Sequence, residues 1–330
     1  MLEHGGRLLR AVQHYGIPRE QWLDLSSGIA PWPFPIPPIP TDAWARLPET
    51  EDGLEAAARG YYGARELLPV AGSQAAIQAL PLLRAAGRVG VLSPCYAEHP
   101  YAWHRAGHHL VELDETQVEA MLDSLDVLVL VNPNNPTGQR VPRERLLGWH
   151  ARLAARGGWL LVDEAFMDNT PAYGVVDCAD LPGLIVLRSF GKFFGLAGVR
   201  LGFVAAERSL LLRLAELLGP WTVNGPTRVL AQASLADKPA QRVQIERCAA
   251  ASQRLATMLS STGLAPSGGC DLFQYVRSER AVQLHDFLAR RGILVRLFEH
   301  PPAVRLGLPE CAAHEQRLAQ ALADFQKESA

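Results

Sequence analysis

The stretch Arg188-Ser189-Phe190-Gly191-Lys192-Phe193-Phe194-Gly195-Leu196-Ala197-Gly198-Val199-Arg200-Leu201-Gly202 decides how this chain is read. One lysine stands among small and apolar residues, with Arg200 a short way downstream. A lysine in such a setting can lose its proton and attack a carbonyl. The stretch follows a short apolar run, Leu184–Leu187, and the same arrangement recurs upstream. Asn132-Pro133-Asn134-Asn135-Pro136-Thr137-Gly138 follows Val127–Val131, and Asp163-Glu164-Ala165-Phe166 follows Trp159–Val162. Further apolar runs stand at Val89–Leu92 and Leu201–Ala205, with amphipathic stretches at Ala75–Ala86 and Arg143–Ala155. Short buried strands alternating with helices predict a mostly parallel sheet covered on both faces. In such a sheet the ligand sits beyond the carboxyl ends of the strands, where these polar residues fall.

Bulk properties narrow the class. The chain has 330 residues, 48% hydrophobic and 20% charged, as in a globular protein large enough for two domains. A net charge of −2 gives no basic excess, so nucleic acid is not an expected partner. No apolar run reaches membrane-spanning length. Met1-Leu2-Glu3-His4-Gly5-Gly6 lacks the charged start and apolar core of a signal peptide. The five cysteines are scattered, with no CxxC pair, and fit a reducing cytoplasm better than a disulfide framework or zinc knuckle. His99, His104, His108 and His109 cluster. No acidic ligand stands at a convincing spacing, so no metal is expected and the four are assigned to solvated surface or packing. Neither a P-loop nor a strand-linked GxGxxG is present.

Three regions are expected. Residues 1–45 form an N-terminal arm, with a short helix over Arg7–Tyr15; prolines at 31, 33, 35, 37, 38 and 40 then impose an extended path. Residues 46–230 form the large α/β domain. Residues 231–330 form a smaller α+β domain, with a long helix, strand-like segments near Leu272–Val276 and Ile293–Phe298, and a last helix near His314–Gln326.

The combination of Asn135, Asp163, Lys192 and Arg200 resembles the fold-type I pyridoxal-phosphate enzymes of the class I/II aminotransferase group. The resemblance runs from about His4 to the last helix. It implies a three-layer fold, a homodimer with sites near the interface, and pyridoxal 5'-phosphate held by Lys192 as a Schiff base. In the family Asp163 pairs with the pyridine nitrogen and keeps the ring an electron sink. Glu164 points the other way by strand alternation. The cofactor phosphate goes to the turn at Ser73 and Gln74, where a helix start offers unpaired N–H groups, although Ser73 also reads as a plain N-cap. Ser189 and Arg200 share that anion, Tyr96 stacks on the ring, and Asn135 contacts the ring oxygen. Asn-Pro-Thr-Gly is by itself a strong turn signal, and both roles are compatible.

The branch most similar to this chain holds the histidinol-phosphate aminotransferases and the threonine-phosphate decarboxylases of cobalamin synthesis. Two departures from the common aminotransferase pattern carry information: Phe166 stands where a tyrosine is usual, and Gly191 where a hydroxyl residue often precedes the lysine. Phe166 and His4-Gly5-Gly6 resemble the decarboxylase branch, which implies a decarboxylation of L-threonine O-3-phosphate, with aminotransfer as the alternative. The resemblance gives Arg305 to the substrate carboxylate, and Arg296 with His4, Gly5 and Gly6 to its phosphate, with Ser27 and Gly28 fitting the same task. Asn135 also borders the substrate. Ala30 and Leu47 replace an asparagine and a tyrosine common in the family.

Overall fold

The computed structural model describes residues 4–328; Met1–Glu3, which begin the expected arm, and Ser329–Ala330, which end the expected last domain, lie outside the described residues. The chain divides into two compact units. The smaller gathers residues up to Pro33, Pro136–Gln139 and residues from Val243 onward; the larger holds Phe34–Asn135 and Arg140–Arg242.

In the smaller unit, the helix Leu8–Tyr15 ends at Gly16, whose positive φ of 67° gives the left-handed turn that glycine adopts without strain. Strand β1 (Leu23–Leu25) follows and pairs in parallel with β11 (Ile293–Phe298). With β9 (Gly268–Cys270), β10 (Phe273–Arg277) and β12 (Ala303–Gly307) they form a five-stranded sheet of order β1-β11-β12-β10-β9. Helices Ala281–Ala289 and Ala312–Lys327 bury Leu284, Leu288, Leu318, Leu322 and Phe325. The proline stretch forms no helix or strand before Thr41, as its fixed φ and missing N–H groups dictate. The long helix expected from about Ala231 is two helices separated at Asp237: Gly225–Ala236, which belongs to the larger unit, and Lys238–Ser261.

The larger unit contains a seven-stranded sheet of order β2-β8-β7-β6-β5-β3-β4. Its strands are β2 (Leu67–Val70), β3 (Arg88–Leu92), β4 (His109–Leu113), β5 (Val127–Val131), β6 (Trp159–Asp163), β7 (Leu184–Ser189) and β8 (Gly202–Ala205). The five strands β4, β3, β5, β6 and β7 run parallel, and β8 is antiparallel to both β7 and β2. β5 and β6 are buried at every position, which is why they read as unbroken apolar runs. The helix expected over Ala75–Ala86 shortens to Ser73–Ala79 and continues as a 3-10 turn, Leu80–Leu83, which contains Pro81.

Register lines up the chemistry. Val131 faces Asp163, Asp163 faces Leu187, and Ser189 faces Gly202, which also faces Val70. One end of four adjacent strands therefore presents Asp163, Ser189, Gly202 and the turn after Val70 side by side, with Asn132 following β5.

Behind this row lies a buried ionic group. Arg188 Nη1 donates to Glu164 Oε2 at 2.8 Å, and its Nη2 stands 3.3 Å from Asp168 Oδ1. Glu164 Oε1 also accepts from Val175 N–H, and the guanidinium lies 4.7 Å from the Tyr62 ring centroid. Burial raises the Glu164 and Asp168 carboxyls above their ordinary range, with Arg188 opposing the shift in each. Removing the shared cation leaves two acids buried without compensation, which costs roughly 3–5 kcal/mol. Arg188→Met should accordingly move the midpoint of chemical denaturation sharply downward, and Glu164→Gln, which keeps shape and one donor–acceptor contact, should do less. A midpoint for Arg188→Met indistinguishable from the native protein would contradict this role.

Candidate active site

Asp163 closes β6 at 2% exposure. Its Oδ1 accepts from Ala165 N–H at 3.0 Å, and its Oδ2 stands 2.9 Å from His99 Nε2. His99 is fully buried, and its Nδ1 has no hydrogen-bond partner among the described residues. Donation from Nε2 to the carboxylate therefore sets the tautomer. Of the two expectations for His99, surface or packing, the structure shows a buried residue, and it adds a contact with Asp163 that neither includes. The histidine is the second residue of the helix Glu98–Arg105 and meets a carboxylate far away in sequence. Its one sequence signal was its place three residues after Tyr96. His108 is also buried, its ring bonded to Pro81 O and Gly87 N–H; His104 and His109 are exposed. No cluster of His, Cys, Asp or Glu fit for a metal occurs among the described residues.

Tyr96 is 6.2 Å from the His99 ring, centroid to centroid, in an edge-on arrangement. Its hydroxyl donates to Gln74 Oε1 at 3.1 Å, and Gln74 Nε2 donates to Glu98 Oε2 at 2.8 Å. Burial pushes the Tyr96 hydroxyl up to about 12; Glu98 and Asp163 add to the shift and Arg200 opposes it. Gln74 thus positions Tyr96, a contact that a backbone-only role for the Ser73–Gln74 turn does not include.

Ser73, Arg200 and Gly202 converge. Gly72, at φ 73°, leads into the helix that Ser73 begins. A Cβ on Gly72 would stand 2.7 Å from Arg200 Nη2, and one on Gly202 would overlap Ser73 N. Arg200 itself is left-handed, at φ 56° and ψ 55°, a conformation uncommon for a non-glycine residue and enriched where function constrains the backbone. Two glycines so placed keep side-chain bulk away from one N–H group and one guanidinium, the donor set an anion needs.

Lys192 sits on the one-turn helix Phe190–Phe193 directly after Ser189, with Nζ 5.8 Å from the centroid of the buried Phe166 ring. Gly191 has a local reason: a Cβ there would stand 2.7 Å from Ala197 Cα, so a serine does not fit this turn without movement. Asn134 Nδ2 donates to Pro94 O at 2.8 Å, holding the segment that ends at Asn135 beside the one that leads to Tyr96. A carboxylate, an aromatic ring, a lysine and an anion cradle on one sheet end fit pyridoxal phosphate.

Of the residues expected at the substrate, most meet within the smaller unit. Gly6 N–H donates to Ser26 Oγ at 2.7 Å, and a Cβ on Gly5 would overlap Ser26 O. Asp24 Oδ1 accepts from Ser26 N–H and Oγ. Arg305, 6% exposed on β12, donates from Nη2 to Ser26 O at 3.1 Å and lies 5.1 Å from the Phe273 ring. Its cross-strand partner is Arg296. Burial lowers Arg305 to about 10, with Cys270 opposing and Arg296 contributing to the fall. Ser27 O abuts Gly307, and Gly28 is buried. His4–Gly6, the Ser26–Gly28 turn, Arg296 and Arg305 thus form one neighbourhood in this unit.

Gly202→Ala tests the cradle. The added methyl displaces Ser73 N–H, so equilibrium dialysis should show pyridoxal phosphate affinity falling by about tenfold or more, a free-energy change of ~1.4 kcal/mol. Unchanged affinity in a folded variant would place the anion elsewhere.

The chain is 63% identical over 327 residues to a protein of Pseudomonas aeruginosa named threonine-phosphate decarboxylase, covering 99% of each. It is 43% identical over 329 residues to a Sinorhizobium protein of the same name, covering 97% of each. The solved histidinol-phosphate aminotransferase of Sinorhizobium meliloti, in complex with pyridoxal-5'-phosphate, superposes with a TM-score of 0.82 at 20% identity, covering 100% of this chain and 96% of that one. The profile of the family described as aminotransferase class I and II matches residues 44–324, and the chain belongs to that family.

Proposed function

We propose that this protein is a pyridoxal-phosphate-dependent decarboxylase that converts L-threonine O-3-phosphate to (R)-1-amino-2-propanol O-phosphate and CO2 for cobalamin biosynthesis. The observation that carries the choice of reaction is the 63% identity to the Pseudomonas aeruginosa decarboxylase across the whole length of both chains. Within the fold, the aminotransferases share the same lysine and aspartate, so the reaction depends on which bond at Cα is held for cleavage.

When bound, pyridoxal phosphate supplies an aldehyde that links to amines and a ring that accepts the electron pair of a broken Cα bond. Lys192 would hold the group through its aldehyde carbon. Asp163, oriented by His99, would pair with the ring nitrogen and hold a proton there. Tyr96 would stack on the ring, Asn135 would contact its oxygen, and Ser73, Gln74, Ser189 and Arg200 would take the phosphate. Arg305 grips the substrate carboxylate through its planar fork. That grip would decide which bond at Cα is presented for cleavage, the one to the carboxylate. Lys192 Nζ would return a proton to Cα.

Two measurements test the reading. Incubation with phosphothreonine should release CO2 and the phosphorylated amine; keto acid formed in the presence of 2-oxoglutarate, without CO2, would instead indicate aminotransfer. Borohydride reduction should attach the cofactor to Lys192, read by peptide mass spectrometry, and Lys192→Ala should lose both the attachment and turnover. Attachment at another lysine would refute the assignment.

The substrate phosphate goes to Arg296 with His4, Gly5 and Gly6, supported by Ser27 and Gly28. Arg296→Ala, or deletion of the first six residues, should raise KM for phosphothreonine and narrow the gap in kcat/KM between it and threonine, which never used those contacts. An unchanged ratio would move the phosphate elsewhere.

The assembly is a homodimer. Ile36, Trp44, Leu47 and Trp221 of the larger unit are 62%, 69%, 64% and 59% exposed, large apolar side chains of the sort an interface covers. Sedimentation should give two chains per particle, and a fully active monomer would contradict this. No helix among the described residues is long and apolar enough to cross a membrane. The reading places the enzyme in the cytoplasm.

A further inference from the structure

A cavity of about 610 Å³ lies within the smaller unit, and small-molecule sites typically span about 300–1,000 Å³. His4, Gly5 and Arg296, three of the residues given to the substrate phosphate, stand on its wall. His285 lines it from a separate element, the helix Ala281–Ala289. That helix buries Leu284 and Leu288, which fixes the side it turns to the core. The residue after the histidine is anchored as well: Asp286 Oδ1 accepts from the Tyr15 hydroxyl at 3.1 Å, and Oδ2 accepts from Arg290 Nε at 2.7 Å. The imidazole therefore stands on a fixed backbone, beside a carboxylate already bonded to two donors. Of the other histidines on the wall, His14 and His300 are exposed, whereas His285 is half-buried.

Burial lowers the His285 imidazole from its ordinary value; Asp286 opposes the fall and Arg296 adds to it. Arg7, Arg10 and Tyr15 face the same cavity from the N-terminal segment, and Glu299 from the turn after β11. A half-buried, uncharged imidazole next to a guanidinium suits an anion that brings more than one negative charge. A phosphate monoester carries about −1.5 to −2 near neutral pH, with a second pKa of about 6. Such a charge at the imidazole opposes both the burial cost and the push of Arg296, and so draws a proton onto the ring. The ring then donates a charge-assisted hydrogen bond to a phosphate oxygen. This requires no change in the contacts that Arg7, Arg10 and Arg296 already make, because His285 supplies its own donor. We propose that His285 is a further substrate-binding residue, which contacts the phosphate of the substrate and becomes charged as that group binds. The inference rests on the assignment of the substrate phosphate to this part of the smaller unit.

The pH dependence has a definite sign. The imidazole titrates lower in the empty cavity and higher in the occupied one. Its contribution to affinity is therefore fullest below the lower value and fades as pH rises toward the higher one. The test uses the full-length holoenzyme and the variant His285→Gln, which keeps hydrogen-bonding capacity but cannot take a charge. KM for phosphothreonine in the variant should exceed the native value by about tenfold or more near pH 6.5, and approach it near pH 9, with the change falling on KM rather than kcat. The kcat/KM for threonine, which has no phosphate, should be the same in both. Titration calorimetry with inorganic phosphate, in buffers of different ionisation enthalpy, should show the native protein taking up more protons on binding than the variant does. His285→Asn, a smaller uncharged replacement, should repeat both results. A KM ratio that does not vary with pH, a loss confined to kcat, or equal proton uptake in native and variant proteins would each overturn the proposal. Decarboxylation of phosphothreonine with kinetics unaltered in both variants sinks this inference alone. Phosphate binding with the His285-dependent proton uptake, in an enzyme inert toward phosphothreonine, sinks the functional reading and leaves the phosphate contact standing.

Discussion

A carboxylate at 2% exposure needs strong partners, because the effective cost of burying an ion is several kcal/mol. Asp163 meets this need with Ala165 N–H and His99. The arrangement requires β6 to end at that residue, β5 to pair with it in register, and the helix carrying His99 to pack at the same sheet end. The buried apolar strands that flank it, Val127–Val131 and Leu184–Leu187, exclude water and so strengthen any charge interaction made there. In the proposed mechanism that strengthened charge acts on the cofactor ring. A positioned negative group that needs no reorganisation during reaction is the form of electrostatic help that contributes most to catalysis.

The next residue in the chain serves the scaffold instead. Glu164 points to the opposite side of the strand and joins Arg188 and Asp168 in a group with no exposed charge. Two consecutive acids thus have separate cationic or polar partners, one set at the sheet end and one behind it. Arg188 directly precedes Ser189 and the lysine turn, so the ionic group ties β6 to β7 where the reactive residues stand. Placing a site on rigid strands rather than on long loops holds atoms to the tolerance that proximity effects demand.

Much of this was legible in the sequence because the decisive residues are local. Lys192, Asp163, Asn135 and Arg200 stand in short motifs after apolar runs, and β5, β6 and β7 read directly as buried strands. Other features depend on contacts distant in sequence. His99 is an ordinary helical histidine until Asp163 comes beside it. Gly191 is a missing hydroxyl until Ala197 occupies the space. The strands β2 and β4 escaped notice because their side chains are only partly buried or include Pro69, His109 and Glu112. β1 was hidden in the expected arm, since its pairing with β11 joins residues 23–25 to residues 293–295. Arg10, His14 and His300 carry no motif at all; only the fold places them around one cavity.

The most direct test of the account is the protonation state of the cofactor ring. Reconstituting the protein with pyridoxal phosphate labelled with 15N at the ring position allows its nitrogen shift to be read by NMR. The account predicts a protonated ring nitrogen at neutral pH in the native protein, lost in Asp163→Asn and weakened in His99→Phe. A ring nitrogen unprotonated in the native protein, or protonated equally in Asp163→Asn, would contradict it.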